Sequence, residues 1–255
     1  NYNLLAGENA GNDLTTGDDN IIIGYNTAVV ATTMSDTIVI GSGAGAALAA
    51  SSTDADGTVL IGKGAGAALT SGQYNTAIGF GALDAEDLGN ANVAIGYNAL
   101  TLQNSNQGGS AFGDANHNMN TAVGAFCSAA ITSGQWNVAV GSHALNAEVA
   151  GDGSTAIGTF ALYAQTGTDG EAGNTALGYF AGKSLTTGTK NVFIGKNCAD
   201  VTTDVDQSVI IGYGAGGANM TSAADSTVAI GNDACAALTT GNGNVAIGKL
   251  ALSTN

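Results

Sequence analysis

Proline is absent from these 255 residues, and so is arginine. Without proline, every backbone N–H past the first residue stays available for hydrogen-bonded ladders. Five lysines face 20 acidic residues, a net charge of −15. That balance argues against nucleic acid, whose phosphates need basic side chains, and against anionic membrane surfaces. Its plainer meaning is a solvated surface that resists lateral aggregation. Aromatic residues make up only 5% of a chain that is 44% hydrophobic. Much of the remainder is Ala, so the expected core is thin. No apolar run approaches the ~20 residues of a membrane span, and no stretch reads as a signal peptide.

Cysteine is scarce and odd in number: Cys127, Cys198 and Cys235. They stand where other repeats have Ala or Leu. Stacked coils rise by about 4.8 Å each, which puts these sulfurs too far apart for a disulfide. Three free thiols acting as small buried filler are expected.

What the chain has in abundance is glycine, 40 residues, and a repeat. Asn75-Thr76-Ala77-Ile78-Gly79 recurs as Asn92–Gly96, Asn137–Gly141, Asn191–Gly195 and Asn244–Gly248. Aligned on the closing glycine there are fifteen copies, at Gly7, 24, 41, 62, 79, 96, 113, 124, 141, 158, 178, 195, 212, 231 and 248. Ten of the intervals are 17 residues; the others are 21, 11, 20 and 19. A fixed period of this size means one supersecondary unit stacked on itself. The expected fold is therefore all-β: one solenoid domain over residues 1–255, about fifteen coils of mostly 17 residues. The text is already in mid-repeat at Asn3-Leu4-Leu5-Ala6-Gly7, so a segment of a longer protein is expected.

Take the glycine as position 0. Position −1 is apolar in every copy and Ile in ten; position −3 is β-branched in all but Leu4 and Ser110. Alternate residues of a strand share a face, and these two columns are expected to line the inside of the coil. Position −4 is Asn in nine copies, expected to form a stacked ladder. Past the glycine come two variable residues, Ala, then Leu or Gly, read as a second short strand. It ends in a Leu-Thr-Thr-Gly turn such as Leu69–Gly72 or Leu185–Gly188. Gly113 to Gly124 lacks that turn and is expected to close by a short cut or to kink the stack.

Position −2 should then face outward, yet it is apolar throughout: Leu5, Ile22, Val39, Leu60, nine alanines, Phe193 and Ile210. A strand apolar on both faces is buried on both. Another copy of the chain is expected to cover this column. A parallel assembly about a common axis and a back-to-back dimer both achieve that. Glu at Ala94 and Ala139 is expected to break the assembly, more so than at Tyr97 and Ser142.

Several patterns look like chemistry. Gly212-Tyr213-Gly214-Ala215-Gly216-Gly217 satisfies G-x-G-x-x-G, and Gly178–Ser184 falls one residue short of a phosphate-binding loop. Both arise from the repeat frame, and no helix follows to hold a phosphate. His143 is expected in an aromatic column with Phe126, Phe160 and Phe180. With His117 the only other histidine, no nucleophile and orienting partner assemble around a base. The pairs Asp18 and Asp19, Asp54 and Asp56, and Asp204 and Asp206 match no calcium loop and read as solvated carboxylates. Asn219-Met220-Thr221 is a lone sequon. No catalytic, cofactor-binding or metal-ligating residue is expected.

The Asn-x-Val/Ala-Ile-Gly text, once per coil over essentially the whole chain, resembles the head repeats of trimeric autotransporter adhesins and related repeats of phage tail fibres. The resemblance implies a left-handed parallel β-roll in which three chains pack about one axis, on a cell surface, in the extracellular space or on a virion. The longer period and the Leu-Thr-Thr-Gly insertion are closer to the fibre repeats. Ile78–Leu83 also looks like one hexapeptide of a left-handed β-helix acyltransferase, a fold that needs three per coil where this chain supplies one. A structural fibre or adhesin segment is the expected function, with host glycan or protein bound at the variable loops 51–57, 84–90, 103–109 and 166–172. An ice-binding solenoid is the alternative, since Thr pairs recur at one turn, although they lapse at Glu86, Gln103 and Glu148.

Overall fold

The asparagine that most repeats place four residues before the glycine sets the phase of the coil. In the computed structural model, which describes residues 2–48, 55–104, 118–167 and 170–254, these side chains point inward and, except for Asn3 and Asn244 in the first and last coils, are buried. Asn75 Nδ2 donates to the Gly89 carbonyl 14 residues on, closing the coil across its interior at 2.7 Å. Its Oδ1 accepts the Asn92 backbone N–H of the next coil at 2.9 Å. Asn20, Asn137, Asn174 and Asn191 repeat both bonds. The expected ladder is present, and its rungs run mainly from side chain to backbone.

Each strand is three residues long and ends at the glycine. The chain divides into two compact units, Asn1–Gln135 and Trp136–Asn255. The first holds β1 (Leu4–Ala6), β2 (Ile21–Ile23), β3 (Ile38–Ile40), β4 (Val59–Ile61), β5 (Thr76–Ile78), β6 (Val93–Ile95) and β7 (Thr121–Val123). They pair in sequence order, parallel and in register. The second holds β8 (Val138–Val140), β10 (Thr155–Ile157), β12 (Thr175–Leu177), β13 (Val192–Ile194), β14 (Val209–Ile211), β15 (Val228–Ile230) and β16 (Val245–Ile247) in the same parallel register. A two-residue parallel pair, β9 (Gly151–Asp152) with β11 (Gly170–Glu171), lies in the longer connections of that unit. The all-β parallel solenoid expected from the repeat is thus the fold.

Three expectations change. First, β6 bonds directly to β7, 28 residues on in the Asn ladder. The stack thus passes from β6 directly to β7, and the main sheet of each unit has seven strands among the described residues. The Gly113 copy, with Ser110 and His117, lies outside the described residues. Second, the segment after the glycine is a turn and no strand. Positions +2 and +4 have φ between 45° and 69° in every described coil, including Phe160 at +2 and Leu100 at +4. Two left-handed residues so close together cannot extend.

Third, the coil is turned inside out relative to the expectation. Position −2 is the interior: Ile22, Leu60, Ala77, Ala94, Ala139 and Phe193 have no exposure. Positions −3 and −1 face out and are partly exposed in every strand, most so in β1 and β16 and at Val140, Ile157 and Leu177. Inward asparagine at −4 dictates this, because period-two alternation carries −2 in with it and puts −3 and −1 outside. The interior is completed mostly by Ala or Cys at +3, with Thr27 in one coil, by +4, and in most coils by +7, usually Leu, Ile, Glu or Gln but Ala31 and Thr202 in two coils.

The interior also explains why −2 varies from Ala to Phe. Residues −2 and +4 of one coil face each other and share one volume. Leu5 pairs with Gly11, Ile22 with Ala28, Leu60 with Gly66, Phe193 with Ala199 and Ile210 with Gly216. Conversely, Ala77, Ala94, Ala139, Ala156 and Ala246 pair with Leu83, Leu100, Leu145, Leu162 and Leu252. A Cβ added at Gly66 would come within 2.7 Å of Leu60 Cδ2. Where both are small, as at Ala176 and Gly182, Phe193 and Leu162 fill the space from the coils on either side.

At position 0, φ lies between 123° and 142°, a region open only to glycine. A side chain there would also run into the backbone of the next coil's glycine. Both constraints hold the column at glycine.

Candidate functional surfaces

Each unit presents two adjacent columns of β-branched and aliphatic side chains on its outer face. In the first unit these are Ile21, Ile38, Val59, Thr76, Val93 and Thr121 at −3, with Ile23, Ile40, Ile61, Ile78, Ile95 and Val123 at −1. The second continues the pattern, with Ile157 37% and Leu177 46% exposed. A soluble monomer seldom leaves so continuous an apolar stripe in water.

Beside the −1 column runs position +1, where Tyr25, Phe80, Tyr97, Tyr179 and Tyr213 are each about half exposed. Lys63 and Lys196 stand in the same column. His143, at +2, stacks on Phe160 with ring centroids 5.0 Å apart, and Phe160 meets Phe180 edge-on at 5.4 Å. Ser142 Oγ lies 2.9 Å from His143 Nδ1.

The other sequence candidates resolve into structure. The acidic loop residues cap backbone: Asp206 accepts the Thr189 N–H and hydroxyl, Asp225 the Asp206 N–H, Asp204 the Ser222 N–H and Asp56 the Ser35 N–H. Asp54 lies outside the described residues. Among those described, no group of three His, Cys, Asp or Glu side chains is placed to hold a metal ion. The glycine-rich stretches at 178–184 and 212–217 are turns, and no helix follows either; Ser222–Ala224, five residues past the second, is a single 3-10 turn. The loop 84–90 closes on itself around buried Glu86. Of 166–172, residues 168 and 169 are outside the described set, as are 51–54 and 105–109 of the other two loops. The described part of 166–172 borders a shallow depression with Thr187, Gly188 and Thr189.

A feature the sequence reading passed over is a pair of identical buried networks at +7, where other coils have Leu14, Leu48, Leu69, Leu185 or Leu238. Glu86 Oε1 accepts the N–H groups of Asp87, Leu88 and Gly89 at 2.7–3.2 Å. Its Oε2 accepts Gln103 Nε2 at 2.7 Å, and Gln103 Oε1 accepts the coil-closing Asn120 Nδ2. Glu148 does the same with Val149, Ala150, Gly151, Gln165 and Asn174. All four Glu and Gln side chains are buried. A polar residue replacing Leu in a fixed frame was the available signal.

The three cysteines are free and buried, as expected. Burial pushes the Cys127 and Cys198 thiols up from 9.0 to about 12 and raises Cys235 as well. All three should therefore resist a disulfide reagent at pH 8 in the folded chain and react in denaturant. Below pH 9 the thiols are neutral in both states. Between pH 9 and 12 the unfolded chain ionises while the folded one does not, so stability should fall across that window. The loss should approach about 4 kcal/mol for each of Cys127 and Cys198 by pH 12. Urea titrations at pH 8 and pH 11 check this: in the double variant Cys127→Ala, Cys198→Ala most of the difference should vanish.

No family model, no curated protein and no solved structure matches this chain.

Proposed function

We propose that this chain is a structural segment of a fibre or adhesin, without enzymatic activity, that associates with copies of itself through the −3 and −1 columns. The observation that carries the reading is the outward apolar stripe of each unit, which a parallel assembly covers along its length. Each half-exposed Ile gains about 1 kcal/mol when its remaining surface is buried. The resemblance to adhesin head and tail-fibre repeats favours three chains about one axis and an extracellular, cell-surface or virion location. A host glycan or surface protein is then the external partner. Neither nucleic acid nor membrane insertion suits a chain of this charge and patterning, and no cofactor is required.

The two faces of the strand give the test. Ile78→Glu with Ile194→Glu places carboxylates on the shared surface and should convert a stable oligomer into folded monomers, read by light scattering and circular dichroism. Ala94→Glu, expected from the sequence to break assembly, points into the chain's own core and should prevent folding instead. An unmodified chain that is a stable monomer at micromolar concentration overturns the proposal.

An ice-binding solenoid is the second reading, and its support lies on the same face, where Thr76, Thr121, Thr155 and Thr175 stand at −3. The paired threonines of the turns give it none. Thr15, Thr70 and Thr186 each donate their hydroxyl to a carbonyl of the following coil, and the hydroxyls are engaged along the stack. Thermal hysteresis by the purified chain would favour this reading over the fibre.

A further inference from the structure

The chain has 20 carboxylates and five lysines, yet three of those lysines lie against aromatic rings. Lys183 Nζ is 4.6 Å from the centre of the Phe180 ring. Lys196 Nζ lies between two tyrosines, 6.0 Å from the Tyr179 centroid and 5.9 Å from that of Tyr213. In the other unit Lys63 Nζ is 5.8 Å from the Phe80 ring, and Phe80 stacks on Tyr97. A ring face holds an ammonium by its quadrupole without neutralising it, so the charge remains available to an outside anion. Asp200, a half-buried carboxyl, feels the Lys183 charge, but burial outweighs that attraction and pushes the carboxyl up.

One ring beneath these lysines, Phe180, and its neighbours along the column are held at a conformational cost. Phe160, Phe180 and His143 occupy +2 with φ of 59°, 62° and 57°, where other coils place Gly43, Gly64, Asn98 or Asn197. A bulky L-residue in the left-handed region is strained relative to Gly or Asn. The frame tolerates Asn here, so the rings answer to something other than the coil. His143 stacks on Phe160, Phe160 meets Phe180 edge-on, and Tyr179 of the same coil stacks on Phe180 with centroids 3.9 Å apart, so part of the outer surface is ring edge. Edges carry the positive end of the ring quadrupole, and together with the ammonium groups they make a narrow electropositive strip on an acidic protein. Screening within roughly 8 Å at physiological salt lets such a strip act locally against the net charge.

We infer that the strip Phe160, Tyr179, Phe180, Lys183, Lys196 and Tyr213 binds a linear acidic polysaccharide laid along the stack. A chain ligand fits because the strip is shallow and linear, and its contacts recur with every coil, about 4.8 Å apart. Successive carboxylates of a polyuronate can then meet Lys183 and Lys196 while the tyrosine hydroxyls hydrogen-bond its ring oxygens. This deepens the adhesin reading by naming the class of external ligand, and moves its site from the variable loops to the column beside the apolar stripe.

Affinity electrophoresis of the whole chain through gels containing polygalacturonate, with dextran as the neutral control, tests it. The unmodified chain should be retarded by polygalacturonate alone, and the retardation should disappear in high salt. Lys183→Gln with Lys196→Gln should weaken binding at least tenfold. Phe160→Asn with Phe180→Asn installs the residue that the frame uses elsewhere. It should leave the circular dichroism and melting unchanged or improved, yet lose the same binding. No retardation by polygalacturonate, equal retardation by dextran, or retardation unaffected in both folded variants overturns the proposal. Light scattering on the same samples keeps the two ideas apart, since assembly through the −3 and −1 columns involves none of these six residues.

Discussion

Glu148→Leu should destabilise the second unit by about 3–5 kcal/mol or more, although Leu is what most coils place at that position. In an ordinary coil the N–H groups after the +7 leucine reach the next coil: Thr70 and Ser71 both donate to the Asp87 carbonyl, and Thr186 to the Thr203 carbonyl. In the Glu148 coil the N–H groups of Val149, Ala150 and Gly151 converge on one carboxylate oxygen instead. The other oxygen takes Gln165 Nε2 and the Gly167 N–H. Leucine would fill the space and leave these donors without an acceptor. Each buried orphan costs about 1–3 kcal/mol. Glu148→Gln is the sharper variant. Its amide keeps the volume and one acceptor oxygen but turns an NH2 group toward a donor, so it too should lose several kcal/mol. Urea midpoints for both variants, with Leu185→Ala in an ordinary coil as reference, decide the matter. A Glu148→Leu protein as stable as the parent would mean that the network contributes nothing net.

The networks show how far the frame was legible and where it stopped. Period, parallel stacking, the Asn ladder and the free cysteines all follow from residue columns, and the columns are plain in the text. The direction in which the columns point was not. Alternation fixes that −1 and −3 share a face, but either face satisfies it. Hydrophobicity misleads here because the outer columns, rich in Ile and Val, are more apolar than the inner one, which is mostly Ala. The deciding residue is the asparagine. Read as a turn residue it says nothing about phase; read as a buried amide bonding across its own coil it fixes the phase completely. The break in period is the same lesson in another form: the text writes a further copy between β6 and β7, and the direct pairing of those two strands cannot be read from it. The aromatic column was visible, but not the lysines resting on it, since Lys183 meets the Phe180 ring from position +5.

Exchanging the partners at −2 and +4 should show the largest non-additivity in the protein. Ala94→Leu alone adds three carbons to a coil in which Leu100 already fills the shared volume; overpacking of this kind costs about 1–3 kcal/mol. Leu100→Gly alone leaves a void where a buried Leu stood, about 2–5 kcal/mol by comparison with Leu-to-Ala truncations. That loss is partly offset because position 100, at φ 49°, suits glycine better than leucine. Together the two changes recreate the arrangement of the Leu60 coil, where Leu60 lies against Gly66. The double variant should recover to within about 1 kcal/mol of the parent, a coupling of roughly 3 kcal/mol or more in its favour. Neighbouring coils decide how complete the recovery is, since Ala77 with Leu83 lies on one side and Ala122 with Ser128 on the other. Ser128 is smaller than Leu83, so relief of a leucine at 94 is expected on that side rather than the other. A denaturant cycle over the four proteins measures the coupling directly. Strictly additive losses would show that −2 and +4 are filled independently, and the alternation of large and small residues along the stack would then need another cause.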